Sequence, residues 1–96
     1  MHGVVRTYPG TGATELFDML VKRRGEVEAL LRGVTGFASY TLMQTEDGFA
    51  TVTVCQDKAG TDESIQVARD WIAANAADLG TAPPSVAEGS VGIHAN

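Results

Sequence analysis

Cysteine is almost missing from this 96-residue chain. Cys55 stands alone, so no intrachain disulfide can form, and that suits a reducing compartment. Basic residues are also scarce: seven Lys and Arg stand against twelve Asp and Glu, a formal charge of −5. The densest basic run, Lys22-Arg23-Arg24, is flanked by Asp18, Glu26 and Glu28. It reads as a solvated helix face and not as a stripe that tracks a phosphate backbone, so nucleic acid is not expected as a partner. No apolar run approaches the ~20 residues that cross a bilayer, which argues against a membrane. Met1-His2-Gly3-Val4-Val5-Arg6 lacks the basic start and long apolar stretch of a secretory signal, and the expected location is cytoplasmic. Neither Cys-x-x-Cys nor His-x-x-x-His spacing occurs, so no metal site is expected. Pro9-Gly10-Thr11-Gly12-Ala13 lacks the Gly-Lys-Ser/Thr of a phosphate loop. Glu15 stands where a dinucleotide fingerprint needs its third Gly, so no cofactor is expected either.

What is present is periodicity. The apolar content of 44% is that of a globular protein, and the length fits one domain over residues 1–96. Gly3 to Tyr8 reads as a short strand ended by Pro9-Gly10. Leu16, Phe17, Leu20, Val21, Val27, Leu30, Leu31 and Val34 recur at three- and four-residue steps, which predicts a helix from about Ala13 to Arg32 with a bend near Gly25. Phe37 to Gln44 and Phe49 to Cys55 alternate around Glu46-Asp47-Gly48, a hairpin pattern. Thr61 caps a predicted second helix that runs to Leu79, with Gly80 after it. Pro83-Pro84 leads into a last strand, about Ser85 to His94.

The order strand–helix–strand–strand–helix–strand predicts an α+β, ferredoxin-like βαββαβ sandwich with a four-stranded antiparallel sheet. One alternating set holds Val5, Ala38, Leu42, Ala50, Val52, Val54, Ala87, Val91 and Ile93, and is expected to face the helices. The other holds Arg6, Tyr8, Ser39, Thr41, Met43, Thr51, Thr53, Cys55, Glu88, Ser90 and His94, with Val4, Phe37 and Phe49 among them. That mixed face either meets water or packs on a second sheet around a polar-lined cleft.

Val34-Thr35-Gly36-Phe37-Ala38-Ser39-Tyr40, with the hairpin Thr41 to Cys55 and the helix that carries Trp71, resembles the small proteins of the antibiotic biosynthesis monooxygenase-like family. The resemblance implies a dimeric α+β barrel, a homodimer whose sheets pack face to face. It also implies a range of activities, from cofactor-free quinone-forming monooxygenases to haem-degrading enzymes. The haem-degrading relatives bind iron through a histidine on the second helix, and Thr61 to Leu79 contains none. The cofactor-free relatives set Trp, Asn, Arg and Tyr around an aromatic substrate, and Trp71, Asn75, Arg6, Tyr8 and Tyr40 are of those types.

The candidate site is therefore Arg6, Tyr8, Tyr40 and Trp71, placed in the cleft between the two sheets. Arg6 and Tyr8 share a strand face and together can hold an anion or polarise a carbonyl. The competing reading pairs Arg6 with an acid such as Glu88 on the next strand. His2 and His94, at the start of the first strand and the end of the last, are expected near each other. Cys55 reads as a buried small hydrophobe or, less simply, a thiolate nucleophile. Trp71 reads as core or as pocket wall. Three functions remain open: a monooxygenase-like enzyme acting on a small aromatic, a non-catalytic small-ligand module, and a structural homodimer.

Overall fold

β-Branched residues in alternation make His2–Pro9 the first strand, β1. The computed structural model describes residues 1–95. After β1 come α1 (Ala13–Lys22), α2 (Arg24–Arg32), β2 (Phe37–Thr45), β3 (Gly48–Cys55), α3 (Lys58–Asn75) and β4 (Ser85–Ser90). A 3-10 turn, Ala77–Leu79, follows α3. The sheet order is β2-β3-β1-β4, and every neighbouring pair is antiparallel. This is the ferredoxin-like α+β sandwich that the element order predicts.

The single helix expected over 13–32 is two helices. The chain breaks at Arg23 (φ −107°, ψ 29°), two residues before Gly25. Tertiary anchoring of Arg23 sets the position. Its guanidinium bonds Glu26 at 2.7 Å, donates to Asn75 Oδ1 at 3.1 Å, and lies 5.0 Å from the Trp71 ring centroid. The third helix begins three residues before Thr61. Asp57 is its N-cap and accepts from the Gly60 amide at 3.3 Å, while Thr61 is fully buried one turn later. An aspartate caps at least as well as a threonine. Gly60 is required there, because a Cβ would fall on the Thr35 carbonyl oxygen and on Cys55. The helix stops at Asn75, and Gly80 (φ 68°) closes the 3-10 turn in the left-handed conformation.

β1, β3 and β4 are turned over relative to the expected face assignment, while Leu42 of β2 faces the helices as expected. Val4, Arg6 and Tyr8 point toward the helices and are buried, while Val5 on the opposite face is 37% exposed. Register carries the assignment across: Arg6 pairs with Thr51 and Tyr8 with Phe49 in β3, and Thr51 pairs with Leu42 in β2. A bulge between Phe37 and Ser39 shifts β2, so Phe37 joins Tyr40 and Leu42 on the helix side while Ser39, Thr41 and Met43 face away. The reason is volume. Tyr8, Phe37 and Phe49 are the large side chains of the sheet, and they fill the gap against Leu16, Leu20, Val27, Leu31 and Trp71. The small aliphatics Val5, Ala50, Val52, Val54 and Ala87 form the outer face.

Residues 91–94 cross that outer face. The Val91 amide bonds the Met1 carbonyl at 2.9 Å, and Val91 lies against Gly3 and Val54. His94 reaches Ser39 Oγ on β2 at 3.1 Å. Strand pairing ends at Ser90, short of the expected His94. His2 points to the other side, with Nδ1 2.9 Å from Thr61 Oγ1 and Nε2 3.6 Å from Glu88. The two imidazoles, expected as neighbours, are separated by the sheet.

Candidate functional site

The period-2 alternation of β1 carries Arg6 inward beside Tyr8. Arg6 is 3% exposed. Its Nη1 donates to Tyr8 Oη at 2.8 Å, and its guanidinium carbon lies 5.7 Å from the Tyr8 ring centroid. No carboxylate pairs with it among the described residues, and its Nε has no hydrogen-bond partner. Its neighbour on β4 is Val86. Glu88, the acid proposed as its partner, instead accepts from Lys58 Nζ at 3.2 Å. The cross-strand ion-pair reading of Arg6 is therefore overturned. A buried cation with one hydrogen bond and no counter-charge is costly, and the fold holds it there all the same.

The other three candidates converge on it. Tyr8 stacks on Phe49 with centroids 4.5 Å apart and planes 12° from parallel. Tyr40 comes from β2; burial pushes its phenol pKa up, and the Arg6 charge partly opposes that. Trp71 comes from α3 and is buried. Arg6, Tyr8, Tyr40 and Trp71 line one small cavity of about 20 Å³, with Leu20, Val27, Leu31, Phe49 and Ile72 as apolar wall. Thr51 Oγ1, on the same cavity wall, is a second buried polar atom without a partner. The cavity lies inside one protomer, between the sheet and the helices. The sequence reading expects these side chains in a cleft between two sheets; they lie instead on the helix side of the sheet.

No family model matches the chain, and no curated protein does. Solved structures do. A protein of unknown function from Nitrosomonas europaea superposes with TM-score 0.70 at 18% identity, covering 99% of this chain and 91% of that one. A monooxygenase from Streptomyces coelicolor, solved with nanaomycin D, gives TM-score 0.66 at 22% identity over 99% and 90% of the two chains. SnoaB, a cofactor-independent oxygenase from Streptomyces nogalater, gives 0.58 at 14% identity over 97% and 92%. The fold is that of the antibiotic biosynthesis monooxygenase-like proteins.

Within this monooxygenase-like fold, Asn75 is occupied outside the cavity. Its Oδ1 accepts from Arg23, and its Nδ2 donates to the Trp71 carbonyl oxygen at 2.9 Å. Cys55 is buried; burial first, then Asp57 and Glu63, pushes its thiol pKa up, away from a thiolate. Among the described residues no three His, Cys, Asp or Glu side chains gather as a metal site.

Two residues that matter at the cavity were hidden in the basic run. Trp71 Nε1 donates to Glu26 Oε2 at 2.6 Å, and Glu26 also accepts from Arg23. Arg23 and Glu26 thus fix the indole that lines the cavity. Their three-residue spacing was the only sign of it in the sequence. The Trp71 hydrogen bond, then the Arg23 bonds, hold the Glu26 carboxyl below its ordinary value. A depressed acid contributes stability above its unfolded pKa and loses it as pH falls through the folded one. Glu26→Gln should therefore flatten the acid side of the stability profile below the ordinary carboxylate pKa, read as urea midpoints against pH. An unchanged acid slope would show that the Trp71 bond has no energetic weight.

Proposed function

We propose that the chain is a cofactor-independent monooxygenase acting on a small hydroxylated aromatic bound against Arg6. The observation that carries this reading is the unneutralised Arg6 guanidinium with its free Nε, set in an aromatic-walled cavity. A buried cation stabilises an anion in a site that excludes water. The phenolate of the substrate supplies that anion. Tyr8 and Tyr40 flank the guanidinium that meets it, and Trp71, held by Glu26, walls the inner side. A phenol with a free ring position plus dioxygen gives a quinone plus water, so one O₂ is consumed per quinone formed. The oxygenases that share this fold support the chemistry.

The same reading makes the chain a homodimer through the outer sheet face. Exposed Val5 and Met43, and Ile93 at 91% exposure, give that face apolar surface that a second copy would cover. Native mass spectrometry should count two copies.

The test of activity is oxygen uptake over a panel of naphthols with a free ring position, against protein-free controls, with quinone absorbance followed in parallel. Uptake and quinone in equal amounts support the reading. No uptake across the panel removes it, and ligand-dependent rises in Tm without uptake would leave the cavity as a binding site only.

A further inference from the structure

Arg6 and Tyr8 border a second space. Helix α3 packs on β1 and β3, which leaves the helix-side chains of edge strand β4 uncovered. Between α3 and residues 81–86 a groove of about 440 Å³ opens to solvent. Ile65, Arg69, Ile72 and Ala73 follow one stripe of α3 and, with Ala76 just past its end, form one wall. Pro83, Pro84 and Val86 form the other, and Val86 is 45% exposed.

Arg6, Tyr8 and Ile72 line both the groove and the inner cavity, so they partition the two. The charge of the groove is one-sided. Arg6 at its floor and Arg69 on α3 are its only charged residues, in a chain of net charge −5. Arg69 is exposed and forms no ion pair among the described residues. The groove thus offers an apolar trough with two arginines and no carboxylate to neutralise either.

We propose that this groove binds amphipathic aromatic acids, with the carboxylate on Arg69, the apolar body between Ile72 and Val86, and the ring hydroxyl directed to Arg6. Arginine suits a carboxylate because its planar donors match the two oxygens. Proline, alanine and valine walls give area without competing polar groups. The proposal rests on the Arg6 site of the preceding reading and narrows its substrate class to hydroxylated aromatics that carry an acid. Arg69 then sets specificity and takes no part in the chemistry.

Binding is measured by titration calorimetry without turnover, with 6-hydroxy-2-naphthoate and 2-naphthol as paired probes. The wild-type chain should bind the acid about three- to fivefold tighter, the range of an exposed ion pair. The preference should shrink as salt is raised. Arg69→Gln should abolish it while leaving 2-naphthol affinity unchanged. Arg24→Gln, the same charge loss on α2, should keep it. Equal binding of the two probes, a preference that survives Arg69→Gln, or an equal loss in Arg24→Gln would each overturn the proposal. Acid binding that depends on Arg69, in a protein that consumes no oxygen, would leave the groove standing and remove the oxygenase reading.

Discussion

Arg6→Met should make the protein more stable, by about 1–3 kcal/mol, and should abolish phenolate binding. Most substitutions of a buried residue destabilise. This one is expected to run the other way because of what Arg6 lacks. Its guanidinium has left water, yet it has one hydrogen bond, to Tyr8, no carboxylate, and an Nε without a partner. The desolvation cost is paid without a compensating ion pair. Methionine has a similar reach and fills the space as apolar volume. Tyr8 Oη loses a donor, at a cost of about 1 kcal/mol, which trims the gain. Urea unfolding measures the stability change, and oxygen uptake with calorimetry measures the function. A loss of stability beyond about 1 kcal/mol with binding intact would make Arg6 a structural strut and end the case for the site.

Phe49→Ala should cost about 3–5 kcal/mol. Phe49 is fully buried, stacked on Tyr8 and 6.1 Å from the Phe17 ring centroid in a tilted pair. Deletion leaves a void at the point where the sheet meets α1, and a close-packed interior closes such a void only in part. Against a total stability of about 5–15 kcal/mol, the loss takes a large share. A domain of this length drops by about 4–8 °C per kcal/mol, so the expected fall in Tm is roughly 15 °C or more. Tyr8 would also lose the surface that orients its phenol toward Arg6, so ligand affinity should fall along with stability. Thermal unfolding followed by circular dichroism reads the first effect. A loss under about 1 kcal/mol would mean that the interior refills around the gap.

Element order and the hairpin were legible in the sequence because they depend on local periodicity and turn chemistry. A grouping of Arg6, Tyr8, Tyr40 and Trp71 by residue type was legible too, and the four line one cavity. Their side of the sheet was not. Counting aliphatics favoured Val5, Val52 and Val54 as the inner set. The interior, however, is filled by volume, and Tyr8, Phe37 and Phe49 belong to the set that contains Arg6. A charged residue in the middle of an inward-facing row breaks the rule that sorts faces by polarity, and such breaks are expected where a site is built. The bulge at the start of β2 left no mark that alternation alone can read. The helix break at Arg23 depends on Trp71 and Asn75, some fifty residues away, and so is set by packing rather than propensity. Asp57 caps the helix four residues before Thr61, and Gly60 in the first turn hides this start because glycine disfavours a helix interior.

The strand order also bears on how quickly the chain reaches its native state. β1 lies between β3 and β4, and its His2 pairs with Ser90. Residues far apart in the sequence must therefore meet to finish the sheet. The β2–β3 hairpin closes locally and needs no such encounter. Pairing of β1 with β4 must bear the loop-closure entropy of nearly the whole chain before it gains a contact, which places the domain among the slower folders of its size. On a ribosome β1 would wait for its partner until β4 had left the exit tunnel, and its unpaired edge would stay open to other chains over that interval.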